Sequence, residues 1–478
     1  MSLQSTLLKS LKWTTFDSII TTFIQFLQNI ILARLLTPDD FGTMAMIMVL
    51  LGFIHPLFDL GLGTAIIQSK KVDTKKLSTL YWLNIFLGFF CFLLAIFCAY
   101  YSRYFFDRPG LERLIALTSL IFLIAPWGSQ YAALIAKELK FELQAKISII
   151  CTLLVFLISI GFAFIGAGIF ALIYAYLFRE LFNTSLNIYY GRCLHKPQFY
   201  FKLRDVTGMI RFGLFETGSK IVNYFSANID KFLIGGLLGS HSLGLYTIAW
   251  NLVLFPLRKI NPIITRVTFP LFSKISYNQN LLNKYFQETM ILLMILSFPI
   301  LLFFAVNAKD ILLFLYGDQW LASEEVLCIL AFVGLLKSFA NPGGSILLSK
   351  GRADIGFYWN IGWSISLYVI IKLFLSVAPT IHAVAMAQLL AGFILGPIWH
   401  LLIAYIGEIR YTQLLKQVFI LLIFAIPFIL LIQGVDNFLV LSLIPRLGVK
   451  IMALGLSYCI FLFVFFRPHL HLLVKAIK

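Results

Sequence analysis

Apolar runs of roughly twenty residues follow one another along this chain from end to end, each long enough to cross a hydrocarbon core about 30 Å thick as a helix. In that solvent a backbone N–H or C=O finds no water, so each run must satisfy its own hydrogen bonds, which selects the α-helix. Composition agrees: 60% of the 478 residues are hydrophobic and 12% are charged, and the mean hydropathy of +0.92 lies far from that of soluble globular proteins. The runs predict helices near 11–34, 41–68, 77–102, 111–136, 146–165, 167–190, 208–235, 242–269, 284–306, 322–347, 356–378, 381–407, 414–433 and 447–466. The expected fold class is an all-α polytopic membrane protein of about 14 transmembrane helices, with no stretch left for a soluble domain.

Charge orients the spans. The loops SKKVDTKK (69–76), AKELKFELQAK (136–146) and GRCLHKPQFYFKLRD (191–205) are basic, whereas GAG (166–168) and GSHS (239–242) carry no Lys or Arg, and NAKDILLFLYGDQWLASEE (307–325) is net acidic. Basic loops stay in the cytoplasm, so an even helix count puts both termini there. The formal net charge of +17 then reflects loops facing anionic headgroups and gives no reason to expect nucleic acid. The opening MSLQSTLLKSLKW lacks the apolar core and cleavage site of a signal peptide and reads as an amphipathic lead-in on the inner surface. Six cysteines without framework or C-x-x-C spacing read as apolar filler.

The chain repeats itself. At an offset of 202, WTTFDSIITTFIQFLQNIILARLL (13–36) lies over FETGSKIVNYFSANIDKFLIGGLL (215–238), and Gly42 lies over Gly244. Polar residues follow the same course. Asp17, Thr21, Gln25 and Gln28 share one arc of the first helix at about 100° per residue, as do Glu216, Lys220, Asn223 and Asp230 on the seventh. Two six-helix halves of equal orientation form a parallel repeat about the membrane normal. The expected domains are a six-helix lobe at 1–190, a basic cytoplasmic linker at 191–207, a second six-helix lobe at 208–407, and two further helices with a basic tail at 408–478.

Ionisable groups at membrane depth are costly and face a bundle interior or a water-filled cavity. Lys220, Arg258 and Lys259 lie well inside their segments and are the candidate cationic lining, joined by Arg179 and Arg34. Asp17, Thr21, Gln25, Gln28, Glu216, Asn223, Asp230 and Asn261 are candidate polar lining, and Asp17 and Asp59 are candidates for ion coupling. The structural alternative stands beside each: Glu216 and Lys220, at i and i+4, form an ion pair, Arg34 snorkels at a helix end, and His55 is a packing residue. Catalytic and metal motifs are missing. GLFETGSK (213–220) has Ser219 where a phosphate loop requires Lys and no strand before it, GFILG (392–396) is a lone small-residue packing motif, and NTS (183–185) sits in a helix. No enzymatic role, cofactor or metal is expected.

RLLTPDDFGTMAM, DLGLGTAIIQ (59–68) and NIDKFLIGGLLGSHSLGLYTIAWNLVLFPLRKINPIITRVTFPLFSKI (228–275) resemble the polysaccharide transporter family of the multidrug/oligosaccharidyl-lipid/polysaccharide exporter superfamily, of the colanic-acid-exporter and O-antigen flippase type. The resemblance covers about the first 400 residues and implies a V-shaped bundle of two six-helix lobes, with helices thirteen and fourteen peripheral. It also implies an activity: flipping undecaprenyl-diphosphate-linked oligosaccharide repeat units to the periplasmic leaflet of the bacterial inner membrane, for exopolysaccharide or lipopolysaccharide O-antigen biosynthesis. The implied partners are that lipid-linked oligosaccharide, the bilayer, a coupling ion (H+ or Na+), and the polysaccharide polymerase and chain-length machinery downstream. A diphosphate suits the cationic lining, and Asp17 and Asp59 depart from it. The alternative is a multidrug/cation antiporter of the same superfamily, which calls for an anionic cavity.

Overall fold

The computed structural model describes residues 3–69, 73–438 and 442–466. The centre of the 69–76 loop and the basic tail beyond 466 lie outside the described residues, as do the side chains of the amphipathic lead-in through residue 11. Among the described residues the regular elements are all helical. In order they are α1 (Leu3–Leu35), α2 (Pro38–Asp59), α3 (Leu62–Gln68), α4 (Thr74–Ser102), α5 (Leu111–Thr118), α6 (Ile121–Ile124), α7 (Pro126–Lys137), α8 (Phe141–Phe164), α9 (Ile169–Gly191), α10 (Thr207–Ile275), α11 (Gln279–Val306), α12 (Ala308–Leu315), α13 (Glu324–Ser349), α14 (Ala353–Val377), α15 (Ile381–Gly407), α16 (Thr412–Phe438) and α17 (Leu443–Phe465).

Helix covers every interval expected to cross the membrane, but with breaks the apolar pattern does not reveal. By length and apolarity, eleven helices among the described residues can span a bilayer, or twelve if the bent pair 111–124 and 126–137 is one span. Two features separate this from fourteen. Residues 203–262 count once, because the two arms of α10 meet at Gly239 in a single kink with φ 81° and ψ 178°, a conformation open to glycine. And α9 does not qualify, since Arg179, Glu180 and Asn183 dilute its apolar run. The expected helix 41–68 is broken where Leu60 and Gly61 both turn left-handed, with φ 41° and 61°.

The start of α2 follows from its sequence. Thr37 caps the helix, with the Asp40 N–H donating to its hydroxyl at 3.2 Å and the Thr37 N–H donating back to the Asp40 carboxylate at 3.0 Å. Pro38, at the first helical position, supplies a preset φ and lacks a donor that would otherwise be orphaned.

The chain divides into two compact units, Met1–Gly244 and Leu245–Lys478. In the first, α1 packs along α8, α4 packs on α2, and α9 lies against α7 and α8. The basic linker is strapped down: Trp82 Nε1 donates to the Gln198 carbonyl at 2.9 Å, the Gln198 N–H donates to Ser78 Oγ at 3.0 Å, and the Lys202 N–H donates to Thr79 Oγ1 at 3.3 Å. In the second unit α13 is central, packed on α11 and α15, with Ser297 and Ser338 hydroxyls bonded at 2.9 Å and Trp399 Nε1 donating to the Ala340 carbonyl at 3.0 Å. Of the GFILG glycines only Gly392 works as a contact, where a Cβ would meet Leu336 at 2.8 Å; Gly396 has nothing near it.

α10 touches α2 at three heights through glycine, at two along its 207–238 arm and at one just past the Gly239 kink. A Cβ on Gly42 would overlap the Ser240 carbonyl, and one on Gly244 would overlap the Pro38 carbonyl. Midway, Tyr224 Oη donates to the Met48 carbonyl at 2.6 Å over Gly52, whose missing side chain leaves room for the tyrosine ring. At the far end Gly213 abuts the Leu60 carbonyl at the break between α2 and α3. Small residues at these heights let two backbones approach closely, which in a lipid solvent supplies much of the association energy. The outer contact is reciprocal. At the offset of 202, Pro38 corresponds to Ser240 and Gly42 to Gly244, so each copy of the repeat sets its glycine on the other's equivalent carbonyl.

Candidate functional site

Below the tyrosine the α2–α10 seam turns polar. Glu216 and Lys220, one turn apart, pair at 2.8 Å, and Thr64 Oγ1 on α3 donates to the same Glu216 oxygen at 3.1 Å. The second Glu216 oxygen lies over Gly61, where a Cβ would meet it at 2.7 Å, so the left-handed break makes space for the carboxylate. Asp59 accepts from the Gly63 N–H at 3.3 Å and stands within electrostatic range of Lys220, Glu216 and His55. The Lys220 side chain keeps 44% of its surface open while Glu216 keeps 25%. An ammonium has three donors, and one carboxylate at a single contact leaves it able to bind a further anion.

The first helix uses its polar arc partly for packing. Thr21 is buried and donates to the Asp17 carbonyl at 2.7 Å; Gln28 Nε2 donates to Ser159 Oγ on α8 at 2.9 Å. Gln25 is exposed and Asp17 is half-buried. Arg34 is exposed in the last turn of α1. Farther along the 207–238 arm Asn223 is exposed, and Asp230, 1% exposed, accepts from the Lys231 N–H at 2.8 Å.

Arg179 lies elsewhere in the first unit. With Glu180, Gln144, Thr152, Asn183 and Asn187 it lines a mixed polar cavity of about 230 Å³ among α7, α8 and α9, and Lys220 is not part of that wall. Arg258, Lys259 and Asn261 belong to the second unit, on the 240–275 arm. Arg258 is exposed and Lys259 half-buried, and Asn261 Oδ1 is buried with no hydrogen-bond partner among the described residues. Within the first unit the structure therefore gathers Glu216, Lys220 and Asp59 at one place and Arg179 at another. Among the described residues no group of three or more His, Cys, Asp or Glu is arranged to hold a metal ion.

One charged cluster escapes sequence reasoning. Lys450 of α17, its side chain 3% exposed, bonds Asp310 of α12 at 2.9 Å and Asp436 of α16 at 2.7 Å, and Arg446 bonds Asp310 at 2.6 Å. It ties α16 and α17 to the rest of their unit. The visible signal was a lysine inside an apolar run, but its partner stands 140 positions away.

Residues 31–325 match the family described as "Polysaccharide biosynthesis protein". The chain is 35% identical to the teichuronic acid biosynthesis protein TuaB of Bacillus subtilis (strain 168), over 76% of this chain and 75% of that protein. It is 33% identical to the lipopolysaccharide biosynthesis protein WzxC of Escherichia coli (strain K12), over 76% and 73%. Among solved structures, lipid II flippase MurJ in an inward closed conformation superposes with a TM-score of 0.77 at 14% identity, covering 96% of this chain and 99% of that one, a likeness of fold. A family match over more than half of the chain, together with identity above 30% across three quarters of it, makes the protein a multi-pass membrane member of the polysaccharide biosynthesis protein family.

Proposed function

We propose that the protein is a lipid-linked oligosaccharide flippase of the bacterial inner membrane. It moves undecaprenyl-diphosphate-linked polysaccharide repeat units from the cytoplasmic to the periplasmic leaflet by alternating access between two six-helix lobes, 1–190 and 208–407. Both termini are cytoplasmic, and polymerase and chain-length machinery consume the product. The observation that carries this reading is Lys220: an ammonium inside a membrane helix, countered by one carboxylate at 2.8 Å and left 44% open. Such a group is stable only beside water or an anion, and a diphosphate offers charge-assisted acceptors in a medium of low dielectric. Arg258 and Lys259 are the candidate cations of the second unit, with Arg179 and Arg34 outside the Lys220 cluster, and Gln25, the exposed member of the α1 polar arc, meets sugar hydroxyls. Asp59, in electrostatic range of Lys220, and Asp17 are the carriers of a coupling proton or sodium ion. The named roles of TuaB, WzxC and MurJ support the substrate class.

The test is reconstitution of the purified protein with a labelled lipid-linked repeat unit and a leaflet-specific readout. Transfer without ATP is expected, since the chain has no nucleotide motif. A strict ATP requirement, or no transfer of any lipid-linked saccharide, overturns the proposal.

A further inference from the structure

The C-terminal end of α4, the turn after it and the first turn of α5 border an open cavity of about 360 Å³, within the size range of small-ligand sites. Three kinds of group share its wall. Tyr100 presents an aromatic ring; Asp107 and Glu112 present carboxylates; Arg103 and Arg108 present guanidiniums. Arg103 is held in place by two rings, 4.5 Å from the centroid of Tyr100 and 5.1 Å from that of Tyr104. The turn is anchored from beneath. Phe106 is 1% exposed and packs 5.8 Å from Phe232, on a Gly235 whose Cβ would meet its ring at 2.9 Å. Arg108 pairs with Asp39 in the first turn of α2 at 2.5 Å.

Tyrosines at a helix end commonly anchor a span at headgroup level. Anchoring needs a ring and a polar tip, and does not call for a braced cavity holding two carboxylates and two guanidiniums. The balance of charge also disfavours a simple anion site. A sugar ring is the complement of such a wall. Its C–H face is apolar and stacks on an aromatic ring, while each hydroxyl at its edge both donates and accepts, so carboxylates and guanidiniums are satisfied together.

We propose that this pocket binds a saccharide unit of the transported chain at the outer surface, as an exit-side site separate from the Lys220 cluster. The inference rests on the flippase reading for the substrate class and for the outward orientation of this end of α4.

The probe is a set of oligosaccharides, one or two repeat units long, released by mild acid from the producing cell's own surface polysaccharide. They are titrated against the purified full chain in phosphatidylcholine nanodiscs, with binding read by saturation-transfer NMR and calorimetry. Wild type binds, Tyr100→Ala and Glu112→Gln weaken binding by about tenfold or more, and Tyr100→Phe, which keeps the ring face, stays within about twofold. Tyr100 is 56% exposed, so its truncation leaves no core cavity, and a thermal melt of each variant checks folding. Absence of binding by wild type, or equal binding by the Ala and Gln variants, overturns the site. So does protection of Tyr100 by phosphatidylglycerol nanodiscs without any response to oligosaccharide, the mark of a lipid anchor. Flipping is assayed separately: pocket-dependent binding without transport sinks the flippase reading and leaves the site, and transport without pocket-dependent binding does the reverse.

Discussion

At the scale of single residues, Lys220 is the place where a substrate role and a structural role give opposite results. If it holds a diphosphate, Lys220→Ala removes a charge-assisted contact of about 1.5–3 kcal/mol, roughly ten- to a hundredfold in apparent affinity, at unchanged membrane abundance. If it only neutralises Glu216, the same change strands a carboxylate and lowers abundance. Lost transport at normal abundance is the expected outcome; full recovery of transport in Lys220→Ala/Glu216→Ala would sink the assignment. A second prediction concerns His195 in the linker. It is buried, and burial holds its imidazole below the ordinary value. The unfolded strap takes up a proton that the docked strap refuses, so the stability of the docked linker is complete above about pH 6.5 and falls as pH drops below it. Hydrogen exchange across 192–206, corrected for the intrinsic rate, should quicken on going from pH 7.5 to 5.5. An unchanged acid response in His195→Leu would show that another group is responsible.

At the scale of elements, the seam between α2 and α10 makes the sharpest demand. The groups facing Gly42 and Gly244 are backbone carbonyls, which cannot rotate away as a side chain does. Gly42→Ala and Gly244→Ala should therefore each destabilise by about 1–3 kcal/mol or more, seen as a fall of several degrees in thermal midpoint. Gly161→Ala in α8, with nothing within 4 Å of its Cβ, should be neutral or mildly stabilising. A harmless Gly244→Ala would refute the reciprocal contact. The existence of these helices was legible in apolar run length, and the correspondence of Gly42 with Gly244 in an offset of 202. Which faces meet was not legible, because a helix apolar on most sides has no stripe to read. Gln28 illustrates the limit: a polar residue in such a helix serves a cavity or a neighbour equally well by pattern, and here it bonds Ser159. The break at Leu60–Gly61 was not legible either; it lies where Glu216 and Gly213 of α10 come close to the chain.

For the whole molecule, the Lys/Arg alternation predicts a topology that labelling can check. With the exposed Cys193 and Cys459 and the other native cysteines replaced by Ser, Asp73→Cys should resist a membrane-impermeant thiol reagent in sealed cells; strong labelling there would invert the protein. The Lys450 cluster sets a second test. Lys450→Met leaves the buried Asp310 with Arg446 alone and takes the lysine from the part-exposed Asp436, a loss of about 1–3 kcal/mol, so abundance and melting temperature should drop. Lys450→Met/Asp436→Asn should recover part of it, and a single variant as stable as wild type would mean that the cluster does not fasten α16 and α17. The seam also bears on ancestry. In a homodimer of a single repeat, an isologous contact uses one gene position twice, so any change at that glycine strikes both sides at once. Fusion of two copies frees them to diverge, yet glycine stands at both 42 and 244 in this chain, as it would if the covalent link had been added to an interface that already worked.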